Sequence, residues 1–472
     1  MAKLRTPLHL LPRPLSEGDC ETYRPALADL QGNILKGHGR DNSVHVFLGF
    51  HAGKQGPVKR WLASLAAQVS SMARQREEQR EYSKYKIPGS LFCAVYLSAA
   101  GYRALGFDVR KFDLRFQAGM KRSRAALADP PVKSWEKAYQ GDVHAMILLA
   151  DDDETYIGRA TRELVDQIKA GKCSRILTIE RGTAYRNRDD HTVEHFGYVD
   201  GASQPLMLQA DIQKELKREG LKKFAKWDPS AGPNLVLAPD PLGGENAFGS
   251  YIVYRKLEQN VRDFKRREKE LATALGLLGP QGELGGAMSV GRFENGKPVV
   301  LDDQDELGPG NIVPNDFNFK ADSKGDKCPF HSHIRKTNPR GAGLEPFASE
   351  RAHRIARRGI TYGDRTRESF ENEDLMPNTG VGLLFMCFQA DIANQFAFMQ
   401  TTWANNAGFP KPKTGLDPVI GQGRNGAQHW PTKWGNPKPA LREAFDFSGF
   451  VNMKGGEYFF APSLSFLTDL GK

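Results

Sequence analysis

The order of strand-like and helix-like patterns between residues 43 and 181 restricts this chain more than any single motif. Residues 43–50 alternate in polarity and are rich in Val and Phe, as a half-buried strand requires. Val58, Trp61, Leu62, Leu65, Val69 and Met72 recur at helical spacing, so a helix is predicted over 54–76. Strand patterns return at 90–97 and 143–150, a helix is read at about 153–170, and a strand closes the run near 175–181. Strand, helix, strand, strand, helix, strand is the split βαβ order of a ferredoxin-like antiparallel sheet.

A similar rhythm follows later. Residues 250–254 read as a strand and 257–277 as an amphipathic helix carrying Val261, Phe264, Leu271 and Leu275. A buried strand at 381–389 leads into a helix at about 391–404, and 457–461 reads as a closing strand. A length of 472 residues also exceeds one ordinary core. The fold class is therefore α+β, with two related ferredoxin-like domains joined near 205–248. The division is an irregular arm at 1–28, a first domain at 29–225 and a second at 226–472. Inside the second, 278–380 is rich in Gly, Pro and Asp with little periodicity, and long irregular segments of this kind tend to carry function.

Composition narrows the function. The net charge of +10 arises from 66 basic and 56 acidic residues that are interspersed. Its most basic segment, Lys214 to Lys226, also contains Glu215 and Glu219, and reads as a solvated helix face. Nucleic acid is not an expected partner. The five cysteines are far apart and lack a CxxC pair, so no disulfide framework is expected. No apolar run reaches the length of a membrane span, and the proline-punctuated residues 1–30 contain no signal-peptide core. The expected location is the cytoplasm, without membrane association.

Three constellations carry chemistry. Residues 328–340, Cys-Pro-Phe-His-Ser-His-Ile-Arg-Lys-Thr-Asn-Pro-Arg, hold His331 and His333 in a loop stiffened by Pro329 and Pro339. By residue type alone this is a polar loop, a zinc-like Cys-His-His set or a single imidazole ligand. Asp200, in Gly197-Tyr-Val-Asp-Gly201, is either a turn-forming Asx residue or an acid–base group on a glycine-permitted turn. Arg357 stands in Arg-Arg-Gly-Ile-Thr-Tyr-Gly363, a cationic run entering a glycine-bounded strand. The Gly-x-x-x-x-Gly-Lys match at 291–297 is a decoy. Pro298 stands where a phosphate loop needs Ser or Thr, and Asn295-Gly296 reads as a turn.

Taken in order, Gly197-x-x-Asp200-Gly201, His333 in His-Ile-Arg-Lys-Thr-Asn-Pro-Arg, and Arg357 in its Arg-Arg-Gly motif resemble the dye-decolorising peroxidases. Leu30-Gln-Gly-Asn-Ile-Leu-Lys-Gly-His-Gly-Arg40 and Lys454-Gly-Gly-Glu-Tyr-Phe-Phe-Ala-Pro-Ser463 extend the similarity over about residues 29–465. The resemblance implies haem b (iron protoporphyrin IX) between two ferredoxin-like domains, with His333 as the proximal iron ligand. It implies Asp200 as the distal acid–base residue and Arg357 as the distal cation. His195 and Arg340 resemble positions that approach the haem propionates, and Leu383 and Phe385 an apolar distal wall. Asp391 is the expected carboxylate partner of the His333 ring, with Glu373 and Asp374 as second choices. The implied reaction reduces hydrogen peroxide and oxidises dyes, phenols or other small aromatic one-electron donors, with an acidic optimum. A homo-oligomer is compatible with the sequence, and the competing functional class is a haem-handling protein with little turnover.

Overall fold

A computed structural model describes residues 6–423, 427–436, 438 and 442–472. In the first half, β1 (Asn42–Phe50), β2 (Phe92–Ser98), β3 (Ala145–Asp151) and β4 (Ser174–Thr183) are antiparallel and lie in the order β2-β3-β1-β4. Helix α1 (Gln55–Ala66) lies between β1 and β2 in the chain, and α2 (Glu154–Gly171) between β3 and β4. In the second half, β5 (Phe248–Gln259) is followed by α3 (Val261–Ala274), the short helix α4 (His333–Thr337), β6 (Ile360–Tyr362), β7 (Gly382–Gln389) and β8 (Val451–Ala461). Its order is β6-β7-β5-β8, also antiparallel. Each half thus places its first strand between its third and fourth. This is the ferredoxin-like arrangement expected from the element order.

The two sets of strands are continuous. Phe459 and Phe460 of β8 pair with Ser98 and Leu97 of β2. At the other end β6 approaches β4: Thr361 Oγ1 donates to Thr183 O, and a Cβ at Gly182 would come within 2.3 Å of Ile360 Cγ2. The sheet therefore curls back towards itself. Aromatic rings fill its inner side, with Phe47 of β1 against Tyr254 of β5 at 4.8 Å and Tyr139 stacked on Tyr254 at 6.2 Å. Burial of each such ring contributes about 1.5–3 kcal/mol. Lys256 of β5 is held by Glu136 and Glu180, both at 2.9 Å, which satisfies a charge that burial alone would make costly.

Several boundaries differ from the sequence pattern. The helix expected over 54–76 ends at Ala66 and restarts as Met72–Tyr85, because the intervening Ser70 joins the sheet edge through Cys93 O (2.8 Å) and Gly32 N (2.7 Å). Ser71 Oγ then caps the new helix at Arg74 N. Residues 257–259 extend β5, and Asn260 caps α3, so the helix starts later than its apolar spacing implied. Among its described residues the arm contains a 3-10 turn at Leu8–Leu10 and two short α-helices, Glu17–Thr22 and Arg24–Asp29, the first of these α-helices closed by a Ser16–Asp19 capping box. Residues 1–5 of that arm lie outside the described residues. The expected helix at 391–404 is π-helical, with Ala397 N bonded to Ile392 O and Asn405 N to Gln400 O, each at 2.9 Å. Among the described residues no helix is long and apolar enough to cross a membrane.

Candidate active site

A cavity of ≈ 260 Å³ lies against the second half of the sheet. Side chains alternate along β5, so Arg255, Leu257 and Gln259 line the cavity while Tyr254 points to the aromatic inner side. On β7 the same alternation brings Leu383 and Phe385 to the cavity and buries Leu384 and Met386 behind them. Apart from Glu194 and the residues from Phe196 to Pro205, all the lining lies at or beyond Trp227. The site expected between the halves is thus displaced towards the second.

On one side stands His333, the first residue of α4. The loop before it is organised by Asp322, whose carboxylate accepts from the backbone N–H groups of Asp326 (2.8 Å), Lys327 (3.1 Å) and Cys328 (3.0 Å) and from Arg335 NH1 (2.7 Å). Ser332 Oγ donates to Met288 O and fixes the helix start. His333 Nδ1 lies 2.9 Å from Asp417 Oδ2. A carboxylate accepts, so the proton is placed on Nδ1 and the other ring nitrogen is free of protein partners among the described residues. Asp417 Oδ1 in turn accepts from Val419 N (2.8 Å) and Ile420 N (2.9 Å). The side chain of Asp417 is fully buried.

This corrects the choice of Asp391. Asp391 instead closes the turn after β7, accepting from Asn394 N (2.9 Å) and Asn394 Nδ2 (2.6 Å), and is absent from the cavity lining. β7 carries the chain past the cavity before Asp391 is reached, whereas the later loop returns over α4 and delivers Asp417. The second choices fail too: Glu373 pairs with Lys269, and Asp374 is exposed. Cys328 and His331 do not converge on His333. His331 packs edge-on against Trp430 at 4.2 Å, and among the described residues no His, Cys, Asp or Glu cluster is arranged to hold a metal ion.

Across the cavity, Arg357 NH2 donates to Asp200 Oδ1 at 2.6 Å. Gly197 (φ 99°) and Gly201 (φ 80°) supply the left-handed backbone on either side of Asp200. Gly201 N also donates to Asp200 Oδ1, one residue on and not the two that an Asx turn spans, so the carboxylate is tied to its own turn while it faces the cavity. Arg357 sits in the two-residue strand Ala356–Arg357 against β7, and its N–H donates to Gln204 Oε1 at 3.0 Å. One loop therefore positions both partners. Burial acts to raise the Asp200 pKa, but the Arg357 charge and hydrogen bond, with the Gly201 N–H, outweigh it and hold the carboxyl below its ordinary value.

The remaining expected residues divide. Arg340 lines the cavity and donates to the carbonyls of Asn315 (2.7 Å) and Phe317 (2.8 Å), to Ser203 Oγ (2.9 Å) and to Asn315 Oδ1 (2.7 Å). No carboxylate among the described residues forms an ion pair with it, and burial followed by the nearby Arg292 charge pushes its pKa well down. His195 is misplaced by the sequence reading. It lies between Glu194 and Phe196, which face the cavity, and so points away: its Nε2 meets Tyr362 O at 2.8 Å and burial lowers its pKa to about 4. Glu194 was missed. It accepts from Phe196 N (2.9 Å), Tyr198 N (3.0 Å) and Gln259 Nε2, yet burial pushes its pKa up to about 7.

One free imidazole nitrogen, apolar walls from Leu257, Leu383 and Phe385, and the unneutralised charge of Arg340 suit a flat, largely apolar iron cofactor with anionic edges. The donor set thus fits the haem that the motifs imply.

A family model described as "DyP dimeric alpha+beta barrel domain" matches residues 29–182, and one described as "Dyp-type peroxidase, C-terminal" matches residues 236–410. The chain is 44% identical over 456 residues to the multifunctional dye peroxidase DyP2 of an Amycolatopsis species, covering 94% of this chain and 96% of that protein. The crystal structure of a DyP-type peroxidase from an Anabaena species superposes with a TM-score of 0.91 at 42% identity, covering 99% of this chain and 100% of that one. A fungal DyP-type peroxidase from Auricularia auricula-judae superposes with a TM-score of 0.74 at 26% identity, over 94% and 99% of the two chains.

Proposed function

The chain belongs to the dye-decolorising peroxidase family and is a peroxidase; on that premise, we propose that it binds haem b through His333 and uses Asp200 and Arg357 to reduce hydrogen peroxide at the expense of dyes, phenols or other small aromatic one-electron donors. The observation that carries this reading is the 2.6 Å Asp200–Arg357 pair facing the same cavity as an imidazole whose other nitrogen is tied to Asp417.

Bound haem would supply the iron at which peroxide is reduced and from which two one-electron donors are then oxidised. The chain's own residues supply proton handling and charge. Cleaving peroxide requires a proton to leave one oxygen and arrive at the other. Asp200, kept ionised by Arg357, accepts that proton on its carboxylate and can return it. The Arg357 guanidinium presents a fixed cation where negative charge develops on the departing oxygen, without reorganisation at the moment of reaction. His333 is oriented by Asp417, which also increases the basicity of the ring. Leu383 and Phe385 give the same cavity an apolar wall, and Arg340 would face a propionate.

Purified, haem-loaded protein should bleach an anthraquinone dye or oxidise a phenol only when peroxide is added, with Asp200→Asn and Arg357→Ala strongly impaired. A haem absorption band without peroxide-dependent oxidation would favour haem handling instead.

A further inference from the structure

Lys336 lies one helical turn beyond His333 in α4 and is fully buried. No carboxylate among the described residues lies within ion-pair distance of it. Its Nζ donates to Asn406 O (2.8 Å), Phe409 O (3.0 Å) and Gly415 O (2.5 Å). An ammonium has three N–H donors, and all three serve one loop. That loop leads directly to Asp417, whose own N–H is fixed to Ala404 O at 3.0 Å. A buried ammonium without a paired anion is costly, and an apolar side chain of similar length would fill the same space more cheaply. Burial lowers its pKa to about 8, and the Asp417 charge is what opposes that fall. Three acceptor carbonyls need three N–H donors, which only the ammonium form supplies.

We propose that Lys336 is a positioning residue of the ligand side: it pins the 406–415 loop against α4 and offsets the Asp417 charge, so limiting how strongly Asp417 draws on the His333 N–H. This inference rests on the reading that His333 holds haem iron. Two effects then act in one direction. Removing the ammonium takes positive charge from the neighbourhood of the iron, which favours the ferric state. It also leaves the Asp417 carboxylate less compensated, makes the imidazole a stronger donor, and favours the ferric state again.

The test is the ferric/ferrous potential of the haem-loaded full chain, read with the iron–histidine stretching band of the ferrous protein. Lys336→Met should shift the equilibrium towards ferric about tenfold, ~59 mV downward for one electron, and raise the stretching frequency. Lys336→Gln, which keeps donors to two of the carbonyls, should give the same direction if the Met variant does not load haem. Lys336→Arg, retaining the charge, should stay within about threefold of wild type. In an Asp417→Asn background the effect of Lys336→Met should shrink, because the lysine acts through that carboxylate. A wild-type potential in the haem-loaded Met or Gln variant overturns the proposal. So does an Arg variant shifted as far as the Met variant, or failure of both uncharged variants to fold, which would make the lysine a requirement of the fold alone. Failure of the underlying ligand reading is separately visible: His333→Ala would then leave the wild-type haem spectrum and stretching band unchanged.

Discussion

The two sides of the cavity are built on opposite principles. On the His333 side the carboxylate is sealed: Asp417 is fully buried, and its two oxygens are committed to His333, Val419 and Ile420. On the Asp200 side both side chains remain partly open to the cavity, at 26% for Asp200 and 32% for Arg357, and a single 2.6 Å contact joins them. On the proposed reading His333 is a ligand that needs one geometry held throughout turnover, and its supports are buried and saturated. The proposed acid–base pair must meet a small molecule and exchange a proton with it, and its polar atoms stay reachable. The difference separates holding from reacting, and it can be attacked from either side.

The largest effect is expected where holding is lost altogether. His333→Ala should reduce the haem absorption per protein, and any haem retained by the cavity walls should turn over peroxide only at background. Peroxide-dependent oxidation at the wild-type rate in this variant would remove the distinction between the two sides.

Next comes the reacting side. Arg357→Ala should slow the reaction with peroxide by about 10²–10³-fold at its optimum, the usual cost of one preorganised donor, while leaving the haem absorption band in place. Its pH dependence sharpens the point. The Asp200 carboxyl is held below its ordinary value, so its ionised form survives as pH falls until the depressed pKa is crossed. Without Arg357, burial acts unopposed by that cation and the crossing moves upward. The acid limb of kcat/KM for peroxide should therefore shift to higher pH in Arg357→Ala. An unshifted limb would mean that another group, with Glu194 the nearest candidate, sets the profile.

A smaller effect is expected for the sealed carboxylate. Asp417→Asn keeps the shape and one acceptor but loses the charge, and should cost about 10–100-fold in activity or cofactor affinity. Because the imidazole becomes a weaker donor, the ferric/ferrous potential should rise, opposite in sign to the change expected for Lys336→Met.

What the sequence discloses follows the same division. Strand order was readable because alternation is local, and both halves repeat it. That Asp200, Arg357 and His333 belong together around one cavity was readable because each sits in a short motif whose glycines and prolines shape the backbone around it. Asp417 was not, since it lies 84 residues from His333 in the chain and reaches it through a loop without periodicity. His195 was misassigned for the opposite reason: proximity to Asp200 in the chain hid the alternation that turns its ring away from Glu194 and Phe196. The break after Ala66 was hidden because Val69 and Met72 continue the apolar spacing, while the hydrogen bonds of Ser70 to residues 23 and 38 positions away decide the backbone.

The smallest effect separates the two aspartates that compete for one role. Asp391 closes a turn at the start of the π-helical segment and touches neither His333 nor the cavity. Asp391→Ala should behave like the loss of a helix cap, costing about 1 kcal/mol of stability, measurable as a lower denaturation midpoint. Haem absorption, ferric/ferrous potential and peroxide kinetics should all stay at wild-type values. Asp417→Asn should show the reverse, with spectral and kinetic change at the cavity. A tenfold kinetic loss in Asp391→Ala with a normal denaturation midpoint would return the support of His333 to Asp391, and would mean that the sealed geometry around Asp417 does not govern the ligand.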